Sequence, residues 1–418
     1  MKKLIAIAAT FIFIYPVFLK FLPIPLDRVL QLCGMVVLSF NSQDLGRLFN
    51  AKVLWKFFGV TFVLLLLAFV AQFQLRSGFD LFFFKEVLDT FLNVFSAYFV
   101  CWTVRNAYGY VSLGLVLYHI VVAAIIQTFI SFAFFFNNSF FDAYVSILKE
   151  ETNQGLLNRT SSIGRRFMGF GSQFFTGVLK YGIAFFGILM LPYMYKKGFV
   201  QNSWVYWFCV VLVAIGGIFT GRTFFAAFLL AILLLLMFKS KNMVSFIVNN
   251  IKAVVLIVIS GIIVGAIASV IIESERLEAV YSFAFELFIN FFENDSLETN
   301  STNHMSEMYF FPDNINTWLF GDGRMQADKG YYMGTDIGYI RLIFYFGLPS
   351  TLFFIYLLYI YYKILAKYAV AEEVRYLVLF VMLWTLILNF KGLAFMTEYF
   401  VVMLVCLLLS KRTNFATI

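Results

Sequence analysis

Apolar runs of about 20 residues recur along this chain from end to end, and that recurrence limits what it can fold into more than any other feature. Runs of this length read as helices that cross a bilayer core of about 30 Å. Composition agrees: of 418 residues, 62% are hydrophobic and 13% charged, against about 25% charged in soluble domains. A soluble fold is excluded. The expectation is an all-α, polytopic integral membrane helical bundle: one membrane domain over 1–418, about 12 transmembrane helices and a large folded periplasmic loop.

The twelve spans fall at 4–22, 26–40, 53–73, 84–102, 111–136, 172–195, 203–219, 222–238, 253–272, 336–361, 375–390 and 393–410. The opening Met1-Lys2-Lys3 and apolar run to Leu22 resemble a signal peptide but lack a small-residue cleavage site, so they read as the first span. Segment 203–238 as one helix would be roughly 54 Å long, too long for the core. Gly216, Gly217 and Gly221 offer the break, which predicts two short spans joined at Thr220-Gly221-Arg222. Cys33, Cys101, Cys209 and Cys406 all lie in apolar segments with no metal spacing and read as small buried residues.

Lysine and arginine in short loops set orientation. With the N-terminus inside, 12 of 18 lysines fall on the cytoplasmic side. Both termini are then cytoplasmic, and the two polar loops, 137–171 and 273–335, face outward. Arginine behaves differently: nine of 13 (28, 76, 159, 165, 166, 222, 276, 324 and 341) fall at or near the outer face. They could pair with acidic residues or lipid headgroups. A phosphorylated ligand is the sharper reading, because the planar guanidinium matches phosphate oxygens.

The stretch 273–335 is the most polar in the chain. Its 63 residues hold 11 of the 23 carboxylates against Arg276, Arg324 and Lys329. Loops this long are functional or disordered, and Trp318-Leu-Phe-Gly-Asp-Gly-Arg324 has the turn residues of a folded one. Within it Tyr281, Phe285, Phe288 and Phe292 recur at helical spacing, which predicts a helix over 278–292 lying on the outer interface; the rings could contact lipid, and core packing is the plainer reading. His304 could act as a general base, although it stands in a polar run. His119, mid-span, reads as a packed, hydrogen-bonded residue. Two histidines and scattered acids form no ligand cluster, so no metal is expected.

Three stretches could carry chemistry. Arg165-Arg166-Phe-Met-Gly-Phe-Gly-Ser-Gln173 leads into a span whose N-terminus would attract anions. Arg222 sits in the tight turn, where charge near hydrocarbon is costly and usually functional; snorkelling is the plainer alternative. Gly334-Thr335-Asp336-Ile-Gly338-Tyr339-Ile-Arg341 opens the span after the long loop. Asp336 suits the N-cap, and Arg341 lies about 7.5 Å deeper. Tyr339 shares the face of Asp336.

An Arg-Phe-x-Gly-Phe-Gly stretch opening a span, a Gly-Arg turn between two short spans and a Gly-x-Asp-x-Gly-Tyr after one large late loop resemble the Wzy-type O-antigen and polysaccharide polymerases. These group with the O-antigen ligases. The resemblance implies a bacterial inner-membrane glycosyltransferase, active at the periplasmic face on undecaprenyl-diphosphate-linked glycan donor and acceptor, among membrane lipids. It implies no cofactor, no nucleotide sugar, no metal and no nucleic acid, and a chain-length regulator protein as a further partner. On this reading Arg222, Arg341, Asp336 and His304 are the catalytic candidates, and Arg165, Arg166, Arg324 and Tyr339 bind diphosphate or glycan. Ligase-like members carry a histidine motif where this chain has Thr335-Asp336, which favours a polymerase. A flippase or exporter is the alternative class.

Overall fold

The computed structural model describes residues 1–73, 80–149, 167–171, 174–238, 298–327 and 330–410, with scattered positions between 278 and 295. In chain order the helices are α1 (Lys2–Ile14), α2 (Leu26–Ser39), α3 (Ser42–Phe49), α4 (Lys52–Gln72), α5 (Phe82–Tyr108), α6 (Leu113–Phe136), α7 (Asn138–Ile147) and α8 (Phe174–Met194). They continue with α9 (Ser203–Thr220), α10 (Phe224–Phe238), α11 (Asn300–Glu307), α12 (Ile315–Phe320), α13 (Gly338–Tyr368), α14 (Glu372–Leu388) and α15 (Thr397–Leu409). Among the described residues there is no strand, only isolated bridges at Leu19–Leu148 and Gln326–Tyr331. Among the described residues six helices (α4, α5, α6, α8, α9 and α13) are long and apolar enough to cross a membrane. This is an all-helical, membrane-embedded protein.

Several boundaries move. The first expected span ends early: α1 stops at Ile14, because Pro16 lacks an N–H and restricts Tyr15. The chain beyond it is not helical. Phe18 and Lys20 instead exchange backbone bonds with Lys149 and Ile147. The 203–238 segment breaks where expected, with α9 ending at Thr220 and α10 starting at Phe224. The expected spans at 26–40, 222–238, 375–390 and 393–410 form helices of 14, 15, 17 and 13 residues. The span expected at 253–272 lies outside the described residues, as do Tyr281 and Phe288 of the expected interfacial helix.

The chain divides into two compact units, one of Met1–Leu32 with Trp102–Leu297, the other of Cys33–Cys101 with Glu298–Ile418. In the first, α8 is central and packs on α6, α9 and α10, while α1 packs on α6. Gly216 lets these helices close up, since a Cβ there would lie 2.5 Å from Thr128 Oγ1 and 2.6 Å from the Tyr181 ring. Small residues serve this purpose between membrane helices. In the second unit α13 is central and packs on α4, α12, α14 and α15. Tyr361 stacks on Phe57 at 4.3 Å and bonds Thr61 at 2.6 Å. Gly347 interrupts α13 with φ 77° and ψ 169°, two residues before Pro349.

Candidate functional site

The described candidates from the long loop and its following span gather in the second unit, around the start of α13. Much of the Gly334–Tyr339 motif is structural. Thr335 Oγ1 accepts from Ile337 N (3.2 Å) and donates to the Met308 carbonyl (3.1 Å). The N-cap of α13 is Ile337, not Asp336, because the Thr335 hydroxyl already holds the entering turn. Tyr339 N donates to the Asn389 carbonyl at 3.1 Å. Gly338 has no room for a side chain: a Cβ would lie 2.5 Å from Asn389 Oδ1 and 2.6 Å from the Gly392 carbonyl. Tyr339 donates its hydroxyl to the Leu386 carbonyl at 2.8 Å and lays its ring edge-on to Phe390. Its hydroxyl is thus committed to latching α13 against the end of α14.

Asp336 is half-buried beside this latch. Burial pushes its carboxyl above the ordinary carboxylate value, and Lys391, its own backbone N–H, Arg341 and His304 draw it partly back. The same carboxylate acts on Tyr309, whose hydroxyl is pushed up by burial first and Asp336 second. That hydroxyl donates to the Phe390 carbonyl. His304 lies on the exposed α11, its Nδ1 3.5 Å from Glu307.

Arg341 is 6% exposed. Its guanidinium carbon lies 4.1 Å from the centre of the Tyr331 ring and 5.9 Å from that of Phe82. Nη2 reaches the Met325 carbonyl at 3.5 Å, and among the described residues Nε has no hydrogen-bond partner. Among the described residues Arg341 forms no ion pair. Among the described residues the buried guanidinium thus has one hydrogen-bond acceptor and two aromatic rings around it.

The loop over Arg341 is fixed from a distance. Asp80 Oδ2 accepts from Met325 N (2.7 Å) and Gln326 N (3.0 Å), and Oδ1 accepts from Phe82 N at 3.0 Å. Gln72 accepts from Asp80 N at 2.7 Å and donates to the Gly323 carbonyl (3.1 Å) and Tyr345 hydroxyl (2.6 Å). Asp322 accepts from Thr317 and Tyr332. Arg324, exposed in this loop, acts electrostatically on Tyr332. Sequence reasoning gave no role to Asp80, Gln72 or Lys391. The only local signal was a lone acid next to a span.

Arg222 belongs to the first unit, in the turn between α9 and α10. Its guanidinium pairs with Glu286 and lies 4.6 Å over the Phe283 ring. Of the two sequence readings, this contact matches pairing with an acid of the long loop; a diphosphate would have to displace Glu286. Arg165 and Arg166 lie outside the described residues. The chain just after them is stitched beside the Arg222 turn, with Phe167 N donating to the Phe219 carbonyl at 2.9 Å. Gly171 accepts from Lys180 Nζ at 3.3 Å. His119 is buried edge-on to Tyr108 and Tyr118. The packing expected for it is found, but among the described residues neither ring nitrogen has the expected hydrogen-bond partner. Among the described residues no three His, Cys, Asp or Glu side chains converge as metal ligands.

Comparison with known proteins finds no matching family model, no matching curated protein and no matching solved structure.

Proposed function

We propose that this chain is a membrane glycosyltransferase that polymerises undecaprenyl-diphosphate-linked repeat units into a bacterial surface polysaccharide. The observation that carries this reading is the under-coordinated, buried guanidinium of Arg341, stacked on Tyr331 beneath a loop pinned by Asp80. In the reaction a hydroxyl of the incoming repeat attacks the anomeric carbon of the growing chain. The new glycosidic bond forms as the bond to undecaprenyl diphosphate breaks. Charge grows on the departing diphosphate, and a guanidinium fixed in a dry site stabilises it more in the transition state than in the ground state. Asp336, whose carboxyl burial raises above the ordinary carboxylate value, takes the acceptor proton, and a raised carboxylate is a stronger base than an ordinary one. Arg324 lies in the same loop and binds glycan or diphosphate at its edge. The enzyme works at the periplasmic face of the inner membrane, without metal or cofactor, alongside a chain-length regulator.

A transport role is the second reading. Lys180, half-buried within α8 over the Tyr15 ring, favours it, because ionisable groups inside spans mark translocation pathways. The surface polysaccharide of a deletion strain separates the readings. A single capped repeat supports polymerisation, unattached long polymer a ligase, and loss of all surface glycan export.

A further inference from the structure

We propose that the segment Phe311–Phe320, which contains α12, is seated in the surface of the bilayer and contacts the acyl chains of membrane lipid. The inference rests on the membrane-crossing character of the helices and on no catalytic reading. Phe311, Ile315, Leu319 and Phe320 all project outward, from 46% to 67% exposed. Trp318 braces them from beneath, stacked on Phe311 at 5.5 Å and donating Nε1–H to the Pro312 carbonyl at 2.7 Å. Thr317 is buried and bonds Asp322 at 2.7 Å, while Asp313, Asn314 and Asn316 are exposed beside the apolar side chains, which gives the mixed polar and apolar surface of a segment lying at a bilayer interface.

The depth of the segment says what covers the apolar face. α12 packs on α13 at its break: a Cβ on Gly347 would lie 2.5 Å from the Leu319 carbonyl, and one on Gly321 2.3 Å from that of Tyr345. α4 runs antiparallel along α13, with Phe57 stacked on Tyr361 and Gln72 bonded to Tyr345. The 21 residues of α4 cover about 31 Å, close to the thickness of a bilayer core of about 30 Å. Gln72, Tyr345 and hence α12 are level with one edge of that core. Below α12, α13 shows an exposed apolar stripe of Leu348, Leu352, Tyr356 and Tyr359, spaced as one helical face. Leu319 and Phe320 abut Gly347 and carry that lipid-facing stripe upward. Phe69, Val70 and Phe73 are exposed at the same end of α4. Surfaces of this composition at the edge of the core lie in the interface.

The test uses the unaltered full-length protein in vesicles of phosphatidylethanolamine and phosphatidylglycerol. The vesicles are doped with a phospholipid bearing a photoactivatable diazirine in its acyl chain. After irradiation, lipid adducts are mapped by mass spectrometry. Adducts on 311–320 at a frequency comparable to those on Leu348–Tyr359 are expected. Adducts confined to α13 and α4, with 311–320 unmodified, would overturn the proposal. So would an absence of adducts on both, since the stripe would then not face lipid. As a second arm, Ile315→Asp with Leu319→Asp should lower labelling of 311–320 at least threefold and leave α13 labelling unchanged. Undiminished labelling of the double variant would also contradict it.

Discussion

Asp80 holds the main chain at Met325, accepting its N–H at 2.7 Å across 245 residues of sequence, and the Met325 carbonyl is the hydrogen-bond acceptor that Arg341 reaches. The carboxylate before α5 therefore sets the height of the loop above the buried guanidinium. Asp80→Ala would strip the acceptor from Phe82, Met325 and Gln326. Hydrogen bonds to charged groups contribute about 1.5–3 kcal/mol each, so losing all three sets an upper bound of roughly 4–9 kcal/mol. Asp80→Asn, which keeps one acceptor oxygen, should lose less. Thermal unfolding in detergent measures both.

Arg341 gives the opposite pattern. It is buried and poorly compensated, and burying an ion carries a penalty of several kcal/mol. Arg341→Met should therefore leave thermal stability unchanged or raised. Chain elongation should fall roughly 100- to 1,000-fold, as when one preorganised donor is lost. Arg341→Lys should rescue little, because a point charge cannot copy the forked geometry. A destabilised Arg341→Met protein would mark the residue as structural.

Tyr339 separates latch from ligand contact. Tyr339→Phe loses the bond to the Leu386 carbonyl, worth about 0.5–1.5 kcal/mol, so a lower melting temperature with elongation close to wild type is expected. A large rise in KM at unchanged stability would instead place the hydroxyl on the substrate.

Asp336 predicts a pH dependence. Its folded-state carboxyl titrates above the ordinary value, so the folded state binds the proton more tightly than the unfolded chain. That contribution favours folding below the unfolded value of about 3.9 and is lost as pH rises through the folded value. Asp336→Asn should then be more stable than wild type at neutral pH, and the difference should vanish on acidification. Elongation by wild type should fail on acidification at a pH above the ordinary carboxylate range, and Asp336→Asn should lack that limb. A melting-temperature series against pH, with rates at the same points, checks both.

What could be read from the sequence was what local chemistry controls. The turn at Thr220-Gly221-Arg222 followed from helix length and glycine. The early stop of α1 was also local, since Pro16 was visible, but an apolar run to Leu22 outweighed it. Helix α12 is six residues long, too short to show a period. The roles of Asp80 and Gln72 depend on contacts across 245 and 251 residues, which no local pattern encodes. For the same reason Gly338 and Tyr339 looked like chemistry: their partner Asn389 lies at the end of another helix. Arg341 was singled out because the sequence alone puts it inside an expected span, where a charge is hard to place otherwise.

The most direct measurement is elongation by purified protein in nanodiscs, with an undecaprenyl-diphosphate-linked repeat unit as the only glycan and a metal chelator present. Wild type should convert single repeats into a ladder of lipid-linked chains, and Arg341→Met at equal protein level should leave them as single repeats. A full ladder from Arg341→Met, a ladder that requires an added divalent cation, or intact single repeats from folded wild-type protein would contradict the account.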